Sequence, residues 1–138
     1  MEVKLISKDL LDVVSFNAKA SPRLRMNYNF HQSPEDSVQR MLNAIEPGSI
    51  IPIARHIDNN ETLILLRGKL KVLIYDNNGS IIEECILDVT KGNYGYHIPK
   101  NVWHSVESLE SGTVMFETRE GPYVPLCEKD ILRINPML

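Results

Sequence analysis

Four histidines, His31, His56, His97 and His104, carry most of the metal and proton-transfer chemistry open to this chain. His56 and Glu61 flank the short, mostly polar turn Ile57-Asp58-Asn59-Asn60. A strand–turn–strand hairpin sets two such residues side by side, which suits a cation taking one imidazole and one carboxylate. His104 opens a strand after the turn Pro99-Lys100-Asn101. Glu117 and Arg119 share a strand face, as a proton carrier and an anion partner would, or as an exposed ion pair worth little would. His97 is left between an interior imidazole and a surface one.

The elements that must position these groups are short. Ser7 caps a helix running to about Ala20, with Leu10, Leu11, Val14 and Ala18 on one face. Ser33, followed by Pro34, Glu35 and Asp36, predicts a second helix, with Val38, Met41, Leu42 and Ile45 as its apolar stripe. Between them, residues 25–31 alternate as a strand: Met26, Tyr28 and Phe30 on one side, Asn27, Asn29 and His31 on the other. Strands are further expected at 49–56, 62–67, 69–75, 80–88, 95–98, 104–106 and 114–118, separated by Gly-, Asn- and Pro-containing turns. Many short strands at this spacing indicate an antiparallel sandwich or barrel. Tail residues 121–138 hold three prolines and are expected to wrap the outside.

With 138 residues, 43% hydrophobic and 24% charged, the chain has the size and composition of one globular domain. Its net charge of −3 argues against nucleic acid, which requires a concentrated basic surface. No stretch approaches the ~20 apolar residues of a membrane span, and the first residues lack a signal-peptide core, so a cytoplasmic protein is expected. Cys85 and Cys127 lack metal-knuckle or redox spacing and are expected as reduced thiols.

The run Gly48, His56, four residues, Glu61, six residues, Gly68 resembles the first cupin motif, and Gly92, Pro99-Lys100-Asn101, two residues, His104 resembles the second. Two positions depart from the pattern: Ala54 stands where a first histidine is usual, and Asn101 where a glycine is usual. Asn tolerates positive φ, so the second change is mild. Nearly the whole chain is similar to the WbuC family of cupin-fold metalloproteins. The likeness is carried by residues 21–25, Asn27-Tyr28-Asn29-Phe30-His31, residues 39–44, Arg55-His56, Glu61-Thr62, Leu66-Arg67-Gly68, Trp103-His104, Phe116-Glu117 and Gly121-Pro122-Tyr123.

The resemblance implies an all-β, cupin-type jelly-roll barrel with two short N-terminal helices. It would be one domain over 1–138: helices and strand at 1–47, metal-binding core at 48–120 and tail at 121–138. It implies one divalent ion, Fe, Mn, Ni or Zn, held by His56, Glu61 and His104, a set with open positions. The imidazole missing at Ala54 could be replaced by a water, a substrate atom, His97 or His31. Glu117 and His31 are the expected proton carriers, and Asn27, Asn29, Arg23, Arg25, Tyr96 and Arg119 the expected substrate contacts. Arg23 and Arg25 favour an anionic group.

WbuC proteins are associated with bacterial surface-polysaccharide gene clusters. Three functions follow as expectations: a small enzyme on a sugar-derived metabolite, an Fe(II) oxygenase, or a metal-dependent binding module. The partner is then a small molecule, without nucleic acid or membrane, and a homodimer is compatible with this reading.

Overall fold

The computed structural model describes residues 2–132. Helix α1 (Lys8–Ala20) begins where Ser7 Oγ accepts the Leu10 N–H, with Asp9 in its first turn. It buries Leu11, Val14 and Ala18. The rest is mainly strand: β1 (Arg25–Asn29), β2 (Val38–Ile45), β3 (Ile53–Ala54), β4 (Glu61–Arg67), β5 (Leu70–Tyr75), β6 (Ile81–Leu87), β7 (Gly95–Ile98), β8 (Trp103–Ser108), β9 (Val114–Glu120) and β10 (Ile131–Leu132). They form two five-stranded antiparallel sheets, β1-β2-β9-β4-β7 and β10-β3-β8-β5-β6.

The sheets close over a core that includes Ile45, Leu63, Leu65, Leu70, Val72, Leu87, Ile98 and Met115. A second cluster lies outside the first sheet, where Leu11, Val14 and Ala18 of α1 pack on Leu42, Ala44 and Val114, joined by Tyr28, Phe30 and Phe116. Arg67 joins helix and sheet: its guanidinium bonds Asp12, Ser15 Oγ and the Gly112 carbonyl at 2.6, 2.9 and 2.8 Å.

The expected second helix is corrected. Residues 38–45 form β2, between β1 and β9. Its apolar residues fall at 38, 41, 42 and 45, which mimics a helical stripe. The strand is covered on both faces: Leu42 and Ala44 meet α1, while Ile45 joins the core between the sheets. Burial on two sides removes the apolar–polar alternation that marks a half-exposed strand. The expected strand at 49–56 is also shorter, reduced to β3. The tail does not simply wrap the outside, since β10 pairs with β3. Residues 133–138 of the expected tail lie outside the described residues. Both cysteines are free thiols.

Gly68 adopts φ +90°, and a Cβ there would lie 2.2 Å from Thr113 Oγ1 and 2.6 Å from Thr113 Cα. Gly68→Ala is therefore expected to lower stability by at least the ~1–3 kcal/mol of a disfavoured backbone conformation. Chemical denaturation should show the loss, and an unchanged midpoint would refute it.

Candidate metal centre

Strand pairing builds the site. Glu61 begins β4, where it pairs with Ile98 of β7 on one side and Arg119 of β9 on the other. His104 on β8 pairs with Ala54 of β3, and His56 lies two residues beyond the end of β3. The Asn101 N–H donates to the His56 carbonyl at 2.7 Å, which ties the two histidine-bearing segments together. Asn101 sits at φ +67°, so it takes the backbone role of the motif glycine.

The three side chains converge. One ligand atom from each of His56, Glu61 and His104 lies within 4.8 Å of the others, and no other such group of His, Cys, Asp or Glu occurs among the described residues. His56 Nε2 is 3.8 Å and His104 Nε2 2.5 Å from Glu61 Oε1. The His104 Nδ1–H donates to the Val102 carbonyl at 2.9 Å. In the neutral ring that bond leaves Nε2 bare and aimed at a carboxylate oxygen. Glu61 Oε1 is accordingly buried without a hydrogen-bond donor. Two facing lone-pair atoms repel unless a proton or a shared cation compensates them. A proton does this by turning His104 into an imidazolium, and a metal ion does it by coordinating both. The backbone bond that fixes the ring is the usual second support of a metal-bound histidine. The donor set therefore fits a divalent ion.

Burial opposes charge on Glu61, yet His104, Arg119 and His56 hold its carboxyl down at about 2. Burial lowers His56 to about 4, helped by Arg119, so its ring is neutral and free to bind. Burial also opposes charge on His104, but Glu61 outweighs it and raises the imidazole.

Glu117 stands beside this group, only 4% exposed. Asn43 Nδ2 donates to its Oε1 at 3.1 Å and Arg119 Nη2 to its Oε2 at 2.5 Å. Arg119 Nη2 also lies 3.7 Å from Glu61 Oε2. Burial, with Glu61's charge nearby, pushes the Glu117 carboxyl up to about 7.

A cavity of about 370 Å³ opens from these groups. His56, Glu61, His104, Glu117 and Arg119 line it, together with Arg23, Arg25, Asn27 and Asn43, and with Met41, Ile51, Met115, Val124 and Leu126 as apolar wall. Arg25 Nη1 donates to the Ile50 carbonyl at 2.7 Å. Neither Arg23 nor Arg25 has a carboxylate partner within salt-bridge distance among the described residues.

Other expected site residues lie elsewhere. Asn29 and His31 line a separate hollow with Lys4 and Arg40, and the His31 Nδ1 accepts the Arg40 N–H at 3.0 Å. Of the polar face expected to run through His31, Asn27 reaches the cavity, whereas Asn29 at the end of β1 and His31 beyond it do not. Tyr96 packs against the inter-sheet core and is absent from the cavity wall. His97 is exposed and hydrogen-bonds Thr62 Oγ1 at 2.9 Å, so it does not compensate for Ala54. Sequence reasoning missed Asn43, which lay on the supposed second helix, and the tail residues Val124 and Leu126.

The family model described as "Domain of unknown function (DUF6016)" matches residues 6–87, more than half of the 138-residue chain. The chain belongs to the DUF6016 family. No curated protein matches it. Similar solved structures include cupin domains. The Schizosaccharomyces pombe Cnp3 cupin domain superposes with TM-score 0.56 at 12% identity, covering 70% of this chain and 64% of that one. A cupin 2 domain-containing protein from Halorhodospira halophila gives TM-score 0.60 at 13% identity, with coverage of 82% and 72%. Bacillus subtilis oxalate decarboxylase, described with its Mn(II) centres, gives TM-score 0.56 at 16% identity, covering 80% of this chain and 28% of that one. The chain thus spans less than two-thirds of Cnp3's cupin structure and about a quarter of the decarboxylase. At these identities the likeness establishes the cupin fold for this DUF6016 chain.

Protein purified without added metal is expected to carry one divalent ion per chain by elemental analysis. His56→Ala, Glu61→Gln or His104→Ala should each weaken binding at least roughly tenfold, since even outer-shell losses cost that much. Full occupancy in the His56→Ala, His104→Ala double variant would remove the assignment. Ala54 is 8% exposed and faces the same cavity, opposite His104 on the neighbouring strand. Ala54→His is expected to tighten Mn(II) or Zn(II) binding in a titration, and unchanged affinity would count against an open position there.

Proposed function

We propose that this DUF6016 chain is a metal-dependent cupin enzyme that moves a proton on a small, anionic, sugar-derived molecule. The observation that carries the reading is Glu117. Its carboxyl group is buried beside the three candidate ligands, faces the cavity, and is oriented by Asn43 and Arg119. A second buried carboxyl group is costly unless neighbouring groups compensate it. A residue held in this way next to a Lewis-acid site has the placement of a general acid or base.

His56, Glu61 and His104 would hold one ion, whose chemistry when bound is to polarise a carbonyl or hydroxyl oxygen. Mn is a reasonable first choice because the structurally similar decarboxylase has Mn(II) centres; Fe, Ni and Zn suit the same donors. Arg25 and Arg23, without carboxylate partners, would draw an anionic group to the cavity. The sugar-derived substrate and a role in bacterial surface-polysaccharide metabolism rest on the residues similar to WbuC. Two imidazoles and one carboxylate also support a second reading, an Fe(II) oxygenase.

Deuterium uptake separates the two. Metal-loaded protein incubated in D₂O with a panel of sugar acids and sugar phosphates is expected to exchange a carbon-bound proton of one member, read by mass spectrometry. Glu117→Gln should slow that exchange by about 10²–10⁴ while metal content stays unchanged. Exchange that survives in Glu117→Gln would overturn Glu117's role. Oxygen consumption without exchange would favour the oxygenase.

A further inference from the structure

We propose that Arg55 is a positioning residue of the metal centre, binding both histidine segments and the C-terminal segment into one unit. This rests on the metal-holding reading of His56, Glu61 and His104. Arg55 is adjacent to His56 but points away from the cavity wall, so it touches neither the candidate ligands nor a cavity-bound molecule.

Its guanidinium has three partners on two segments. Nη1 donates to Asn101 Oδ1 at 3.1 Å, on the turn that leads into His104. Nε donates to Asp130 Oδ1 at 3.3 Å, and the Asp130 side chain is 8% exposed. The guanidinium carbon lies 4.5 Å from the Trp103 ring centroid, a cation–π contact with the residue before His104. The backbone repeats the connection: the Arg55 N–H donates to the Asp130 carbonyl at 3.1 Å, and the Asn101 N–H to the His56 carbonyl at 2.7 Å.

These contacts constrain the two imidazoles jointly. Asn101 is fixed through its side chain by Arg55 and through its backbone by His56, so one guanidinium reinforces the spacing that the backbone bond and the Ala54–His104 pairing set. Asp130 extends the unit to the segment whose Val124 and Leu126 line the cavity. A planar fork with a flat face can bond two acceptors and stack on an indole at once; an ammonium cannot. The simpler alternative is that Arg55 only staples the tail to the barrel. That role predicts lost stability with unchanged metal affinity in whatever protein remains folded.

The test uses the full chain, stripped of metal, titrated with Mn(II) and followed by the Mn(II) EPR line shape, with apo-protein melting measured in parallel. Arg55→Met keeps most of the stem but removes the fork. It is expected to weaken Mn(II) binding about 10–100-fold and to broaden the EPR spectrum, as losses of ligand-orienting groups do. Arg55→Lys should recover little of the affinity. Asp130→Asn, which keeps shape and removes charge, should weaken binding in the same direction, and it decides the matter if Arg55→Met does not fold. Affinity within about twofold of wild type in folded Arg55→Met or Asp130→Asn would overturn the positioning role even if melting falls. Full recovery by Arg55→Lys would overturn it too. Absence of Mn(II) binding by the wild-type chain would instead overturn the metal reading on which this one rests.

Discussion

The carboxylate of Glu61 is 4% exposed, and a buried charge costs several kcal/mol unless neighbouring groups compensate it. The barrel mouth is arranged around that requirement. Arg119 lies 3.7 Å from one carboxylate oxygen, and His104 and His56 face the other. Arg119 cannot serve Glu61 alone, because its closest bond goes to Glu117. Two buried carboxyl groups therefore share one guanidinium. Neutrality requires a proton on one of the acidic groups, an imidazolium, or a cation beside them. A divalent ion answers the deficit at the atom that lacks a hydrogen-bond donor, Glu61 Oε1.

The fold makes this concentration of charge tolerable by keeping it at one end of a well-filled interior. Along β4 the inward residues pass from Glu61 to Leu63 and Leu65, and along β9 from Arg119 and Glu117 to Met115. Strand alternation points all of them inward, and position along the strand decides which meets the polar group and which the core. The pairing of Glu61 with Arg119 and of Leu63 with Glu117 places the ionic residues in neighbouring rows. A one-residue slip of β4 against β9 would turn Glu61 outward and bring Thr62 in. The apolar layer below fixes that register and so holds the charged layer in place.

How much of this could be read from the chain depends on how local the signal was. Helix α1 announced itself through Ser7 and one apolar stripe, and most later strands through turn residues. The candidate ligands were legible because motif spacing encodes a hairpin and a turn, both local. Strand β2 was misread because its two faces are covered by elements distant in sequence, and with it went Asn43. The position of His31 failed for a related reason: alternation gives the face of a strand but not where the strand ends. Val124 and Leu126 gave no signal, since an irregular segment crossing a cavity has no period.

Ala54 reads first as a loss, because a histidine there would be a further ligand. Its surroundings give it a second meaning. Ala54 is buried at 8% exposure, points into the cavity and lies opposite His104 on the neighbouring strand. An imidazole in its place would occupy space beside the two histidines. A methyl group leaves that space to a cavity that continues to Arg25 and Arg23, whose cations have no carboxylate partner among the described residues. Fewer protein ligands and more room beside them are thus two consequences of the same small side chain. Both act in one direction, toward a site where a small molecule, rather than the protein, would complete the surroundings of an ion held by His56, Glu61 and His104.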